Sequence, residues 1–333
     1  MCDGCYLPLP LINNEKIRPL YQADKCSSSP YRHFVRRALI LLHVLSVVVP
    51  AFNEAPALRR LLPRLAEGAR GRLEILVVAN GCTDASAEAA RAIGPPVRVL
   101  ETPVPNKHRA MRLADDTAGP GGFPRIYVDA DVELSARDVL LLAAALEDGG
   151  LLAVAPARRV PLAGCPWTVR WFYDVWLRLP VIDAGLFGRG VIGVSAAGHA
   201  RLSALPELMG DDLAASLAFA EHERAVVPAA TAVVHPPRTL RDLIRRRTRV
   251  VTVTAQAGAR PELADAGAEA RTSRADLLAL LRQRPALAPK IAWFTLVALW
   301  SRRAARRAIA SGDYTTWLRD ESSRSTETGS VAR

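Results

Sequence analysis

Cysteine is scarce in this chain of 333 residues: Cys2, Cys5, Cys26, Cys82 and Cys165 are all there is. An odd number at irregular spacing argues against a disulfide framework and suits a reducing compartment. Cys2 and Cys5 have zinc-like spacing, but no second pair follows, and a structural zinc needs four ligands. Glycine, at 21 residues, is too sparse for a collagen-like chain. Long hydrophobic runs are lacking as well. Ala38–Val49 is broken by His43 and Ser46, and Ile291–Trp300 ends just before Arg302 and Arg303. Both fall short of the ~20 apolar residues that a membrane span needs. The first follows Arg36 and Arg37 as a signal peptide would, yet it lies well inside the chain with no small-residue cleavage site after it. These absences predict a cytoplasmic protein whose only membrane role would be contact at the inner face.

What is present is apolar and basic. Hydrophobic residues make up 50 % and charged residues 23 %, which excludes a mostly disordered chain. The formal charge of +11 points to anionic partners. Nucleic acid would demand phosphate contacts and a steep salt response. No recognisable reader module accompanies the charge, so nucleic acid is not an expected partner.

Residues 1–44 show no steady period, and Pro8, Pro10, Pro19 and Ser27–Pro30 are loop chemistry. They read as a poorly ordered extension. From Ser46 the pattern changes to short β-branched runs alternating with amphipathic segments. Strands are expected at Ser46–Pro50, Ile75–Val78, Val97–Leu100 and Ile126–Val128. Helices are expected at Ala57–Leu65, Asp84–Ala92, Lys107–Ala114 and Ala136–Leu146. Such alternation implies a mainly parallel sheet with helices on both faces. Ligands of such sheets sit beyond the carboxyl ends of the strands. Further strands are expected at Leu152–Ala155, Gly190–Val194 and Thr231–Val234, with an aromatic helix at Trp167–Leu179. Gly188–Gly193 imitates a dinucleotide fingerprint but lacks the strand before it and the helix after it. It reads as a turn and strand beside a cleft.

Asp129-Ala130-Asp131 follows directly on the fourth strand. Two hard oxygen donors at a strand end suit a divalent cation that also holds phosphates. Alone the pair is weak, since most such acids are solvated loop residues. Taken in order, Val48–Glu54, Val77–Asp84 and Asp129–Asp131 resemble a family 2 glycosyltransferase with a GT-A fold, over about Ser46 to Arg249. The resemblance implies a nucleotide-sugar donor, a divalent metal (Mn²⁺ or Mg²⁺), a hydroxyl acceptor that could be lipid-linked, and inversion at the anomeric carbon. It implies a mixed, mainly parallel GT-A sheet over 45–250; beyond it the residues themselves predict a helical C-terminal segment over 251–320, and the Ser/Thr-rich end a disordered tail over 321–333.

Carried over residue by residue, Pro50, Ala51, Asn53 and Glu54 match the loop that contacts the nucleoside. Asp84 matches an acid near the base, while Ala79 and Asn80 replace the two acids that usually precede it; Asn80 stays a donor candidate. Asp84 reads equally as a helix cap. Lys107 matches a lysine near the donor phosphates. Met209–Leu213 resembles the segment whose second acid is the general base, which selects Asp212, with Asp211 binding the acceptor or orienting Asp212. Acids favoured by a helix dipole are the alternative. Arg246 and Arg249 lie where processive members carry Gln-x-x-Arg-Trp. Val250 replaces the Trp, so transfer of a single sugar is expected. Arg238–Arg249 holds six arginines and one aspartate; the pair at i and i+3 shares a helix face and suits a diphosphate leaving group. His235 is a third candidate metal ligand beside Asp129 and Asp131, or else a packed histidine, and a retaining transferase on the same fold would give it more weight. Ile291–Ile309 has an apolar half followed by Arg302, Arg303, Arg306 and Arg307. That layout suits an anionic lipid surface or packing on the catalytic domain.

Overall fold

The computed structural model describes residues 44–69, 71–148, 150–205, 218–258 and 272–310. The order from the N-terminal side is β1 (Leu45–Ala51), α1 (Ala55–Ala66), β2 (Leu73–Asn80), α2 (Ser86–Arg91), β3 (Val97–Thr102), α3 (Lys107–Ala118), β4 (Arg125–Val128), β5 (Val132–Glu133), α4 (Ala136–Asp148) and β6 (Ala153–Arg159). Then come α5 (Trp167–Trp176), α6 (Pro180–Ala184), β7 (Val191–Val194), α7 (Ala196–Ser203), β8 (Arg224–Val234), α8 (Leu240–Gly258), α9 (Arg274–Gln283) and α10 (Ala288–Ala310). The alternation expected from the sequence is observed.

The strands form one eight-stranded sheet in the order β3-β2-β1-β4-β7-β6-β8-β5. The block β3-β2-β1-β4 is parallel. Strand β7 runs antiparallel to both β4 and β6, β8 is parallel to β6, and β5 is antiparallel to β8. The carboxyl ends of β1, β2, β4 and β8 therefore open on one edge, and β7 begins there.

Burial explains the central strands. All seven residues of β1 are buried, as a strand covered on both faces requires. Pro50, which has no N–H, lies past the end of the β4 ladder, which pairs only Val47 and Val48. Helix α1 presents Leu58, Leu61, Leu62 and Leu65 to the sheet, each fully buried. Each such leucine stabilises the fold by about 2 kcal/mol relative to exposure. Helix α4 packs on the same face through Val139, Leu142 and Leu146, while α3 covers the other through Ala110 and Ala114.

Three departures from the expected elements have local causes. The aromatic helix ends at Trp176, and Pro180 restarts a short one, because proline fits the first turn of a helix rather than its interior. Strand β8 runs from Arg224, not Thr231: the register with β6 jumps between Pro156 and Ala157, so β8 bulges at Pro228 and continues. Helix α8 runs across residue 250, and α5, α8, α9 and α10 share a core that includes Phe172, Leu243, Leu280, Phe294 and Val297. Residues 1–43 and 311–333 lie outside the described residues.

One buried network fixes α3 against β4. Arg125, 1 % exposed, donates to Asp115 at 2.7 Å and to the Gly119 carbonyl at 2.8 Å. The Tyr127 hydroxyl donates to Asp115 at 2.7 Å, and His199 Nε2 lies 3.2 Å from it. Burial pushes the Asp115 carboxyl up, but the hydrogen bonds from His199, Tyr127 and Arg125 outweigh it and hold the group below its usual range. Removing one partner from such a buried pair typically costs about 3–5 kcal/mol. The clamp holds the helix whose first residue is Lys107.

Candidate active site

The three sequence motifs meet at the carboxyl edge of the parallel strands. The loop after β1 is clipped to the loop after β2 by Asn53. This is the only non-glycine residue with positive φ (52°) among the described residues, a conformation asparagine tolerates better than most. Its Oδ1 accepts from Thr83 N at 2.7 Å and from Asp84 N at 3.3 Å, and its Nδ2 donates to Thr83 Oγ1 at 3.1 Å. Asn80 is 4 % exposed and donates to the Ala51 carbonyl at 2.7 Å, which holds the end of β1. Gly81 turns the chain with φ 65°; a Cβ there would meet Pro105 at 2.9 Å.

Asp84 ties the starts of α1 and α2 together. Its Oδ2 accepts from Ala55 N, in the first turn of α1, at 3.1 Å, and its Oδ1 accepts from Ser86 N at 3.0 Å. The buried Glu54 donates its N–H to Ser86 Oγ at 2.8 Å. Asn53, Asn80 and Asp84 thus build the frame of the two loops. Pro50 and Ala51 form the end of β1 within it.

Beyond β4 the charged groups converge. Lys107 Nζ lies 2.6 Å from Asp129 Oδ1, with both side chains about one-third exposed. The Asp129 N–H donates to the Gly190 carbonyl at 2.7 Å. A Cβ on Gly190 would sit 2.5 Å from Val132 and 3.3 Å from Asp129 Oδ2, so only glycine fits against the acid. Asp131 immediately precedes, and His235 immediately follows, the cross-strand pair Val132–Val234. His235 Nε2 lies 2.7 Å from Glu133 Oε1, and Arg64 Nη2 lies 3.1 Å from Glu133 Oε2. Arg246 donates to the His235 carbonyl at 3.1 Å. Arg249 follows one turn later on α8.

The fold therefore brings Lys107, Asp129, Asp131, His235 and Arg246 to one edge. Asp211 and Asp212 lie outside the described residues. Among the described residues, no three His, Cys, Asp or Glu side chains are gathered as a finished metal site. The donor types still suit a divalent cation, two carboxylates and an imidazole being standard ligands of Mn²⁺-like ions. One observation supports the fit: His235 Nδ1 is buried and has no hydrogen-bond partner.

Sequence reasoning missed Glu133 and Arg64, and it missed a group of buried arginines. Arg189, from the false fingerprint, is 1 % exposed and donates to the carbonyls of Gly185, Pro156 and Asp183 at 3.0, 3.1 and 2.6 Å. It locks the turn that abuts Asp129. Arg158 lies against the same turn, donating to the Ile182 carbonyl and packing over the Trp176 ring. Burial first, and the neighbouring Arg189 second, bring the Arg158 guanidinium down to about 9; burial alone brings Arg189 to about 10.

Residues 46–176 match the family described as Glycosyl transferase family 2. A search of the curated proteins gives no match. Among solved structures, a mannosyltransferase from Pyrobaculum calidifontis in complex with GDP-Man and Mn²⁺ is 23 % identical, covering 84 % of this chain and 94 % of that one, with a TM-score of 0.55. Glucosyl-3-phosphoglycerate synthase from Mycobacterium tuberculosis, in complex with Mn²⁺, UDP and glucosyl-3-phosphoglycerate, is 22 % identical over 66 % of this chain and 82 % of that one, with a TM-score of 0.47. Over residues 46–176 the chain is thus similar to glycosyl transferase family 2, and its fold is of the GT-A type.

Proposed function

We propose that the chain transfers one sugar from a nucleoside-diphosphate sugar to an acceptor hydroxyl, with inversion, using Mn²⁺ or Mg²⁺. The observation that supports this reading is that the Lys107–Asp129 pair and His235 both lie at the carboxyl edge of the sheet. Asp129, Asp131 and His235 would hold the cation, which when bound neutralises charge on the leaving diphosphate. Lys107, Arg246 and Arg249 add fixed positive charge for the phosphates. The loops built on Asn53 and Asp84 frame the space for the nucleoside. Asp212 would take the proton from the acceptor hydroxyl as its oxygen attacks. The placement of His235 favours a second reading, a retaining transfer in which that residue matters more and Asp212 less. The anomeric configuration of the product, read by NMR, separates the two.

The donor is testable by thermal shift. GDP is the first nucleotide to try, because the similar mannosyltransferase is described with GDP-Man. GDP or UDP with Mn²⁺ at about a hundred times Kd should raise stability by about 2.7 kcal/mol, which is several degrees in Tm for a domain of this size. No shift with any nucleoside diphosphate, in Mn²⁺ or Mg²⁺, would defeat the proposal.

The acceptor side includes a lipid surface in this reading. No helix among the described residues is long and apolar enough to cross a membrane. Yet Trp167 is 53 % exposed, Leu299 54 % and Trp300 43 %. Trp293 contacts both tryptophan rings, and the exposed Arg302, Arg303, Arg306 and Arg307 follow on α10. Amphipathic aromatics beside cations suit an anionic headgroup layer. The protein should sediment with phosphatidylglycerol vesicles and not with phosphatidylcholine, and replacing Trp167 and Trp300 by Ser should abolish sedimentation. Equal behaviour of the two lipids would refute the contact.

A further inference from the structure

His235 and Glu133 form a contact that no donor or acceptor role explains. Their shared geometry is specific. An ionised carboxylate can only accept hydrogen bonds, so the 2.7 Å contact places a proton on His235 Nε2. In the neutral ring the lone pair then belongs to Nδ1. That atom is buried and has no hydrogen-bond partner. A buried, unpartnered ring nitrogen is costly unless something ligates it. The other Glu133 oxygen is taken by Arg64 at 3.1 Å. Glu133 is thus held from one side and holds the imidazole from the other, with each of the two side chains only 14 % exposed. Asp131 and His235 flank the last pair of the β5–β8 ladder, and Glu133 belongs to the second pair.

We propose that Glu133 is a positioning residue of the metal site: it fixes the His235 ring so that Nδ1 is the ligating atom, with Arg64 steadying Glu133 in turn. A metal-bound histidine characteristically donates its other ring N–H to a carboxylate, which sets the tautomer and raises ligand basicity. The plain alternative is an ion pair that only ties the two-residue β5 to β8. A structural tie would affect stability and leave cation affinity alone. The inference rests on the metal reading made above, and the test separates the two.

Mn²⁺ is titrated into the full chain with GDP and, in parallel, with UDP, and free Mn²⁺ is read by electron paramagnetic resonance. The variants are Asp131→Asn, His235→Ala, Glu133→Gln and Glu133→Leu, each checked for folding by circular dichroism. Loss of an outer partner typically weakens metal binding about 10–100-fold. Glu133→Gln, which can still accept from Nε2–H, should bind Mn²⁺ about tenfold more weakly. Glu133→Leu should approach the loss seen in His235→Ala. The His235 ring-nitrogen shifts should report protonated Nε2 in the wild type and a tautomer mixture in Glu133→Leu. Wild-type affinity in both Glu133 variants would reduce the contact to a structural tie and overturn the proposal. Wild-type affinity in His235→Ala with loss in Asp131→Asn would overturn it while leaving a metal at the aspartates. No Mn²⁺ binding by the wild-type chain with either nucleotide would remove both this proposal and the metal reading.

Discussion

Asp131→Asn is expected to leave a folded protein with about a thousandfold less transferase activity. The substitution keeps shape and volume and removes one charge. Its effect therefore reports what that charge does. Asp131 stands between the end of β4 and the start of β5, beside the Lys107–Asp129 pair and one residue from the strand that meets Val234. If it ligates a cation that neutralises the departing diphosphate, its loss forfeits several kcal/mol in the transition state, and about 4 kcal/mol is a factor of a thousand in rate. If it is a solvated loop acid, the rate stays within a factor of two or so. Asp116, exposed on α3, gives the comparison: Asp116→Asn removes the same charge from the same chain and should leave kcat/KM unchanged. The measurement is kcat/KM for whichever donor gives the thermal shift, with Mn²⁺ saturating, alongside the melting curve of each variant. Near-normal turnover in Asp131→Asn would end the case for a cation gripped at this edge.

The sheet was legible because its central strands are buried on both faces. Leu45–Ala51 and Leu73–Asn80 read as near-continuous apolar runs, each followed by an amphipathic or small-residue helix. Asp129 and Asp131 were legible for the same reason, since they interrupt an apolar run at the end where ligands bind. Strand β5 was not, because two residues carry no period. Its Glu133 repeats the alternation of Asp129 and Asp131, a faint signal in hindsight. The pairing of Glu133 with His235 spans 102 positions. No local pattern reveals such a contact; it exists only because β8 returns beside β5. Arg189 went unseen for a related reason. The turn and strand at Gly188–Gly193 were legible, but nothing local tells that the glycines let the backbone fold around a buried guanidinium that bonds to carbonyls. Asp84 shows the opposite case. Both readings were legible, and the hydrogen bonds to Ala55 and Ser86 tie it into the frame, while its contact with the donor stays part of the proposal.

Asp212→Asn should lower kcat by about 10²–10⁴-fold while leaving donor binding intact. A positioned general base typically contributes that much, and an amide of the same shape cannot accept the acceptor's proton. The nucleotide-induced thermal shift should therefore persist in this variant, in contrast to Asp131→Asn, where it should shrink with the cation. That split separates a group that serves the attacking oxygen from one that serves the leaving group. Asp211→Asn should cost less in kcat and more in acceptor KM if its part is to hold the acceptor. The stereochemical alternative gives a different pattern. In a retaining transfer the acceptor need not be deprotonated by Asp212, so Asp212→Asn would keep most of its rate while His235→Ala lost it. Equal and small losses in Asp211→Asn and Asp212→Asn would mean that neither carboxylate of the pair touches the reacting oxygen, and the base would have to be sought among the other acids at this edge of the sheet.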